Sequence, residues 1–300
     1  MADRPPPTPK PAATVILARQ NAERLQYYLL KRRGGSGFMA GFYVFPGGMV
    51  DAADTQTDFW WRYIDLDPAE VQTHLGDPLL TADAMLPNAV AAIRETLEEA
   101  GVLLALPTDG LPFTPAYLST LRPQASGVSG FLNAEAESGR WRLCVGALRR
   151  WTHWITPAQM RPRFDTRFFV AEMPDGQRCQ PDQIETTDGC WTTAREALKA
   201  NLMGHQCLSP PTLVTLHQLL PFTNLSALLE STQNRPWGDL IEPRQIRFEG
   251  GAIVLEPWDP QYARQNIIVD PNQLECKVLP VGESFSRIWF NGESWRPVEQ

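Results

Sequence analysis

The order of elements in this 300-residue chain predicts an α/β sandwich of the α+β type, built on a mixed sheet and not on a doubly wound one. Three observations carry that expectation. Apolar, β-prone runs open the chain and recur in its second half, without strict alternation with helical patterns. One segment, Asn88 to Ala100, carries a full set of helix signals. Hydrophobic residues make up 43% of the chain and charged residues 20%, enough for a packed core along most of its length.

Taken in order, Met1 to Pro11 is proline-rich and lacks an apolar run, which predicts a disordered tail through residue 12 and no signal peptide. Thr14 to Ala18 and Tyr27 to Arg32 then read as a strand pair joined by the polar stretch Gln20 to Arg24. Gly34 to Gly41 holds four glycines and reads as a loop. Phe42, Val44 and Phe45 suggest a short strand halted by Pro46-Gly47-Gly48. In residues 55–87, Phe59, Trp60, Tyr63 and Ile64 recur at helical spacing. Asp67-Pro68 looks like an N-cap with proline at the first helical position, so two short helices are expected there. The next helix takes Asn88 as its N-cap and buries Val90, Ile93, Leu97 and Ala100. It ends at Gly101, a good C-terminal cap. Trp141 to Leu148 and Arg167 to Glu172 read as strands, and Thr193 to Ala200 and Pro211 to Leu220 as helices. After Pro221 a helix at Leu225 to Glu230 is expected, then a hairpin of Ile246 to Phe248 with Ala252 to Leu255 around Gly250-Gly251. The domain reading is therefore a main domain at 13–220, with a helical insertion at 55–87, and a C-terminal extension at 221–300. That extension could pack on the core, cover a cleft or form a homodimer surface.

The 34 acidic against 27 basic residues give a net charge of −7, which argues against a nucleic-acid coat or an anionic-membrane binder. No apolar run is long enough for a transmembrane helix. The last residues carry no peroxisomal or ER address. The five cysteines are odd in number, lie far apart and form no CxxC pair. Neither a zinc site nor a disulfide framework is expected, and a reducing cytoplasm is the plain reading.

Chemistry concentrates in Arg94-Glu95-Thr96-Leu97-Glu98-Glu99-Ala100-Gly101. Glu95, Glu98 and Glu99 stand at i, i+3 and i+4 and share one helical face. Like charges so placed cost about 0.2–0.5 kcal/mol per pair. A hard divalent cation, Mg2+ or Mn2+, would turn that cost into a site, polarising a phosphoryl oxygen and lowering the pKa of an attacking water. Arg94 can pair with Glu98 four residues on and orient it. A solvated acidic face is the bland alternative, and the surrounding sequence decides between them.

The octapeptide with Val102 matches every fixed position in the second half of the Nudix box, and Phe45-Pro46-Gly47-Gly48 resembles the usual lead-in to the first half. The resemblance implies the αβα Nudix sandwich, hydrolysis of a diphosphate, and divalent metal at Glu95, Glu98 and Glu99. Gly47 and Gly48 would let backbone approach the substrate. The box normally has a glutamate six residues after its first glycine, where this chain has Asp54, left off the metal set. Residues 55–93 stand where the box normally has seven before its arginine. The excess must loop out and could form a substrate lid. The split box, with Leu148 to Pro157 and Arg163 to Phe169, is similar to the peroxisomal coenzyme A diphosphatase branch (nucleoside diphosphate-linked moiety X motif nineteen). That resemblance covers roughly residues 13–220 and implies cleavage of CoA or acyl-CoA to 3′-phospho-AMP and a phosphopantetheine product. Leu30-Lys31-Arg32 and Gly41-x-x-x-Phe45 also resemble parts of a motif from a second coenzyme A hydrolase branch, with Gly37 in place of an expected arginine. Arg32 is thereby a substrate-binding candidate beside Gly47 and Gly48.

Arg149, Arg150, Arg161, Arg163 and Arg167 form a basic cluster, read either as a clamp for substrate phosphates, with Arg163 as the binding candidate, or as ordinary surface pairing. Glu185 sits where the Nudix resemblance implies a loop carboxylate, which could be a further metal ligand or a general base, or simply a solvated acid. Asp165 is expected to pair with Arg163 or Arg167, and Trp151 and Trp154 could stack on adenine, although packing is the favoured reading. The expected activity is metal-dependent hydrolysis of a small-molecule nucleoside diphosphate derivative. Glu98 and Arg94 join Glu185 as catalytic candidates. The rivals are another Nudix substrate (a nucleotide sugar, ADP-ribose, NADH or a dinucleoside polyphosphate) and a non-catalytic Nudix-shaped binding module.

Overall fold

The computed structural model describes residues 6–35, 39–76, 80–125 and 130–300; the first five residues of the expected tail and Gly37 lie outside the described residues. In chain order the elements are β1 (Lys10–Asn21), β2 (Arg24–Arg32), β3 (Tyr43–Val44), β4 (Gly47–Met49), α1 (Thr57–Trp60), α2 (Pro68–Leu75) and α3 (Ala82–Ala100). There follow β5 (Ala105–Pro107), α4 (Pro115–Ala125), α5 (Phe131–Ala136), β6 (Trp141–Leu143), β7 (Arg149–Ile155), β8 (Phe164–Glu172), β9 (Thr186–Thr192), α6 (Ala194–Leu202) and α7 (Pro210–Leu219). The last stretch adds α8 (Leu225–Ser231), β10 (Arg244–Phe248), β11 (Gly251–Leu255), β12 (Arg287–Phe290) and β13 (Trp295–Val298).

A mixed sheet in the order β3-β2-β1-β8-β7 organises the main domain, with β4 added on β1 and β9 on β2. β1 and β8 run parallel, while the other pairs are antiparallel. One edge of β1 belongs to β8. The other edge changes partner, from β4 at Ala12–Thr14 to β2 at Ala18–Asn21. Alternation along β1 fills both faces of the sheet. Ala13, Val15 and Leu17 pack in the cluster that holds α3, whereas Ile16 and Ala18 pack with α6 and α7. A central strand covered on both sides by helices is the sandwich expected from the sequence.

The expected tail ends early. Lys10 already donates to Arg163 O, and Ala12 pairs with both Met49 and Thr166, so β1 begins inside the predicted disordered segment. The main helix also starts early. Thr81, not Asn88, is the N-cap of α3, its side chain accepting from Ala84 N, and Pro87 lies inside the helix. Proline there removes one backbone hydrogen bond at about 3 kcal/mol. Burial of Met85, Leu86 and Val90 offsets that cost, each contributing roughly 1.5–3 kcal/mol. Asn88 instead donates to Ala12 O, tying helix to sheet. The expected strand Trp141 to Leu148 breaks after Leu143, where a 3₁₀ turn at Val145–Ala147 is held by Gly146 N donating to Asp65.

Residues of the 55–87 insertion fold into α1, α2 and the first turns of α3. Trp60, Ile64, Val71 and Leu75 bury against α3, and Trp60 Nε1 donates to Ala53 O. In the extension β10 to β13 form an antiparallel sheet. Ile241 bridges to Trp154 at the edge of β7, Asn201 of α6 donates to Trp295 O, and Trp237 Nε1 donates to Leu75 O. Ala252, Val254, Ile288 and Trp295 join the core shared by α6 and α7. Among the described residues no helix is long and apolar enough to cross a membrane.

Candidate active site

α3 presents its acidic face beside the Gly47–Gly48 strand. Leu97 and Ile93 anchor one side of the helix in the core, and the left-handed Gly101 ends it. Glu95, Glu98 and Glu99 are thereby placed on one wall of a cavity of about 710 Å³. Glu99 is almost fully buried and accepts from Gly47 N at 2.9 Å. Gly48 packs so tightly on Glu95 that a Cβ there would fall 2.3 Å from Oε1. Both glycines of the expected pair are thus required by close approach, one to β1 and one to a carboxylate.

Arg94 is the hub of the acidic wall. It grips Asp54 through Nε and Nη2, at 3.0 and 2.9 Å, and Nη2 also donates to Met49 O. Nη1 is shared between Glu95 at 3.0 Å and Glu98 at 3.2 Å. Asp54 is therefore part of the site's frame: its buried carboxylate fixes Arg94 and accepts from Asp51 N. Sequence reasoning set Asp54 aside, although its place six residues after Gly48 was the signal. Burial opposes the charge on Arg94, but Asp54, Glu95 and Glu98 hold it protonated well above the usual arginine range.

Burial pushes the carboxyl of Glu95 up to about 7, an effect Arg94 only partly counters and Glu98 reinforces. Burial and neighbouring Glu95 raise Glu99 well above the usual carboxylate range, and burial also raises Glu98. A cluster of carboxylates that resists ionisation on its own has the donor chemistry for a hard divalent cation, which restores the missing countercharge. Among the described residues no three acidic, histidine or cysteine groups already converge at ligand spacing. Arg94 Nη1 lies between two of the carboxylates.

Arg32, at the end of β2, faces this wall, with Nη1 4.0 Å from Glu99 and Nη2 3.7 Å from Glu185. Glu185 is exposed at the rim. Asp182 positions its loop by accepting from the backbone N–H groups of Ile184, Glu185 and Thr186, and Arg33 N donates to Glu185 O. The structure thus brings Arg32, Gly47, Gly48, Arg94, Glu95, Glu98, Glu99 and Glu185 to one cavity.

Arg163 is not among them. It is only 7% exposed, and its guanidinium donates to Thr156 O, Pro7 O and Glu242, so it ties the N-terminal segment and the extension to β8. Its assignment to substrate is corrected accordingly. The basic cluster does not assemble as a clamp either. Arg167 lies over Trp237, and Arg149 and Arg150 line a second cavity beside α2. Asp165 pairs with His153 across β7 and β8, and the nearby charge of Arg167 adds to that pairing in holding its carboxyl below the usual range. Trp151 and Trp154 are buried, and Trp154 also lines the main cavity. The lid expected from the insertion is not present among the described residues. None of 55–76 or 80–87 lines the cavity, because their aromatic stripe is spent on α3.

The family model described as the NUDT19 Nudix domain matches residues 9–219. Acyl-coenzyme A diphosphatase NUDT19 of Gallus gallus is 31% identical, covering 86% of this chain and 80% of its own length. The Homo sapiens protein of the same name is 28% identical, over 89% of this chain and 81% of its own length. Among solved structures, a NUDIX hydrolase from Alicyclobacillus acidocaldarius superposes with a TM-score of 0.60 at 24% identity. It covers 76% of this chain and 99% of its own, a likeness of fold.

Proposed function

The chain belongs to the NUDT19 family of Nudix hydrolases, and on that premise we propose that it hydrolyses the diphosphate bridge of CoA or an acyl-CoA to 3′-phospho-AMP and (acyl-)phosphopantetheine. The observation that carries this reading is the gathering of Arg32, Glu185 and the three α3 glutamates around Gly47–Gly48, at one end of a cleft of ligand-binding size. The names of the relatives supply the substrate class.

Nudix hydrolases work with divalent metal ions. Glu95, Glu98 and Glu99 would hold magnesium or manganese here, and such an ion when bound neutralises the diphosphate and activates water. Arg94 would release Glu95 and Glu98 from Nη1 while Asp54 and Met49 O keep the rest of its fork in place. Arg32, held at its tips only by long ion pairs among the described residues, can turn toward a phosphate oxygen, for which a guanidinium is the best-matched donor. Glu98 or Glu185 would take the water's proton. The five cysteines are free, which favours a reducing compartment such as the cytoplasm.

The test is product analysis by mass spectrometry with magnesium or manganese and a panel of CoA, acetyl-CoA, NADH, ADP-ribose and UDP-glucose. Selective release of 3′-phospho-AMP is expected, and cleavage of another member alone would overturn the substrate class. Glu98→Gln should lower kcat by about 10²–10⁴ with thermal unfolding unchanged. A fully active variant would overturn the role of Glu98.

A further inference from the structure

The active-site cavity is sharply divided by charge. Among the described residues, every charged one that lines it, Asp51, Arg32, Arg94 and the glutamates, comes from β2, the β4–α3 region or the Glu185 loop. None of the lining residues from β7, β8, the turn between them, α7 or the C-terminal extension carries a charge. That second half is made of side chains such as Trp154, Ile155, Met160, Phe168 and Pro211, with Thr156, Thr166 and Gln245 interspersed.

The register gives the two halves a direction. Met49 pairs with Ala12, Ala12 with Thr166, Thr166 with Trp154, and Trp154 bridges to Ile241. The first four of these line the cavity. This row crosses four strand spacings, about 19 Å, from the carboxylate end to the extension. There Pro243, Gln245, Val254 and Trp295 close the cavity, Gln245 and Val254 standing opposite each other across β10 and β11.

A CoA thioester broken at its diphosphate has two unlike halves. The 3′-phosphorylated nucleotide is anionic and needs cations, whereas the acylated pantetheine arm is uncharged, with amides along its length and a hydrocarbon end. An arm without a cation cannot compensate the nucleotide phosphates, but its apolar surface with scattered hydroxyl and amide groups suits the other half. We infer that the C-terminal extension is the substrate-selectivity element of this enzyme. The acyl-pantetheine arm lies along the β4-β1-β8-β7 row, and its acyl end abuts Val254, Gln245 and Trp295. This inference rests on the CoA reading above.

The experiment compares kcat/KM for acetyl-, octanoyl- and lauroyl-CoA in the wild-type chain, Gln245→Trp and Val254→Phe. Gln245 is half-buried, and its side chain accepts only from Arg247 among the side-chain bonds described, so its replacement by tryptophan narrows the arm from the edge. Val254→Phe narrows it from the core, with thermal unfolding as its check. The expected result is a lauroyl-to-acetyl ratio that falls about tenfold or more in Gln245→Trp. A ratio that stays constant between wild type and Gln245→Trp, while CoA thioesters are still cleaved, overturns the inference and leaves the CoA reading standing. Failure of every CoA compound beside turnover of another diphosphate overturns both.

Discussion

Adjacent glycines in the site should fail in different ways when each acquires one methyl group. At Gly48 the new Cβ would sit 2.3 Å from Glu95 Oε1 and 2.5 Å from its Cδ. Those atoms end a flexible side chain that can yield, but must retreat by about 1 Å to reach ordinary contact. A misplacement of that size at a catalytic group costs about 10²-fold in rate. The backbone gains slightly from the replacement, about 0.4–1 kcal/mol, so stability should hold. At Gly47 the Cβ would meet Ala13 O at 2.4 Å and Thr14 Cα at 2.7 Å. These are backbone atoms of the central strand, and relief requires β4 to part from β1. Overpacking of this kind costs roughly 1–3 kcal/mol, or several degrees in melting temperature for a chain of this size. The assay is paired: thermal unfolding by circular dichroism, and magnesium-dependent hydrolysis of CoA. Gly48→Ala should melt as the wild type and lose about 10² in kcat, whereas Gly47→Ala should melt early. Full turnover in Gly48→Ala would refute the reasoning, as would equal loss of stability in both variants.

Two further outcomes follow from the same structure. Arg163→Met should lower stability by roughly 2–3 kcal/mol in chemical denaturation, since Pro7 O and Thr156 O lose their donor, while KM stays unchanged; a raised KM at wild-type stability would return Arg163 to the substrate. Glu256 is fully buried with neither carboxylate oxygen hydrogen-bonded among the described residues, and burial pushes it up to about 8 from the ordinary 4.5. The folded state therefore keeps a proton that the unfolded chain sheds, and stability falls as pH rises from about 4.5 to 8. Glu256→Gln should flatten that slope, gaining on the order of 4 kcal/mol at pH 8 and nothing near pH 4, and identical slopes in the two proteins would contradict the assignment.

What could be read from the chain alone was whatever local spacing determines. Glu95, Glu98 and Glu99 fall on one face of α3 because a helix repeats every 3.6 residues, and Gly101 ends it because a left-handed residue is needed there. The hairpin of β10 and β11, the N-cap at Asp67 and the helix that follows Thr193 are equally local. α3 starts well before Asn88 because three-dimensional burial of Met85 and Leu86 overrides the local cost of Pro87 within the helix. Arg163 lies away from the cavity for the opposite reason. Arginines close in sequence look like one patch, but the chain turns between β7 and β8 and sends Arg149, Arg163 and Arg167 to different neighbours.

The extension was the least legible part, and the cause is contact distance along the chain. Its links to the site, Ile241 with Trp154 and Trp295 with Asn201, join residues far apart in sequence, and neither partner carries a pattern announcing the other. Only the assembled sheet shows that residues after 240 finish a cavity begun at residue 12. The division of labour has a physical basis. The diphosphate chemistry needs several charges at fixed helical spacing, so it leaves a compact motif. Recognition of an uncharged arm needs only apolar surface at the right depth, which many sequences can supply. Such a surface leaves no motif, and for that reason substrate selectivity in this chain should track substitutions at Gln245 and Val254 more closely than any change within the box itself.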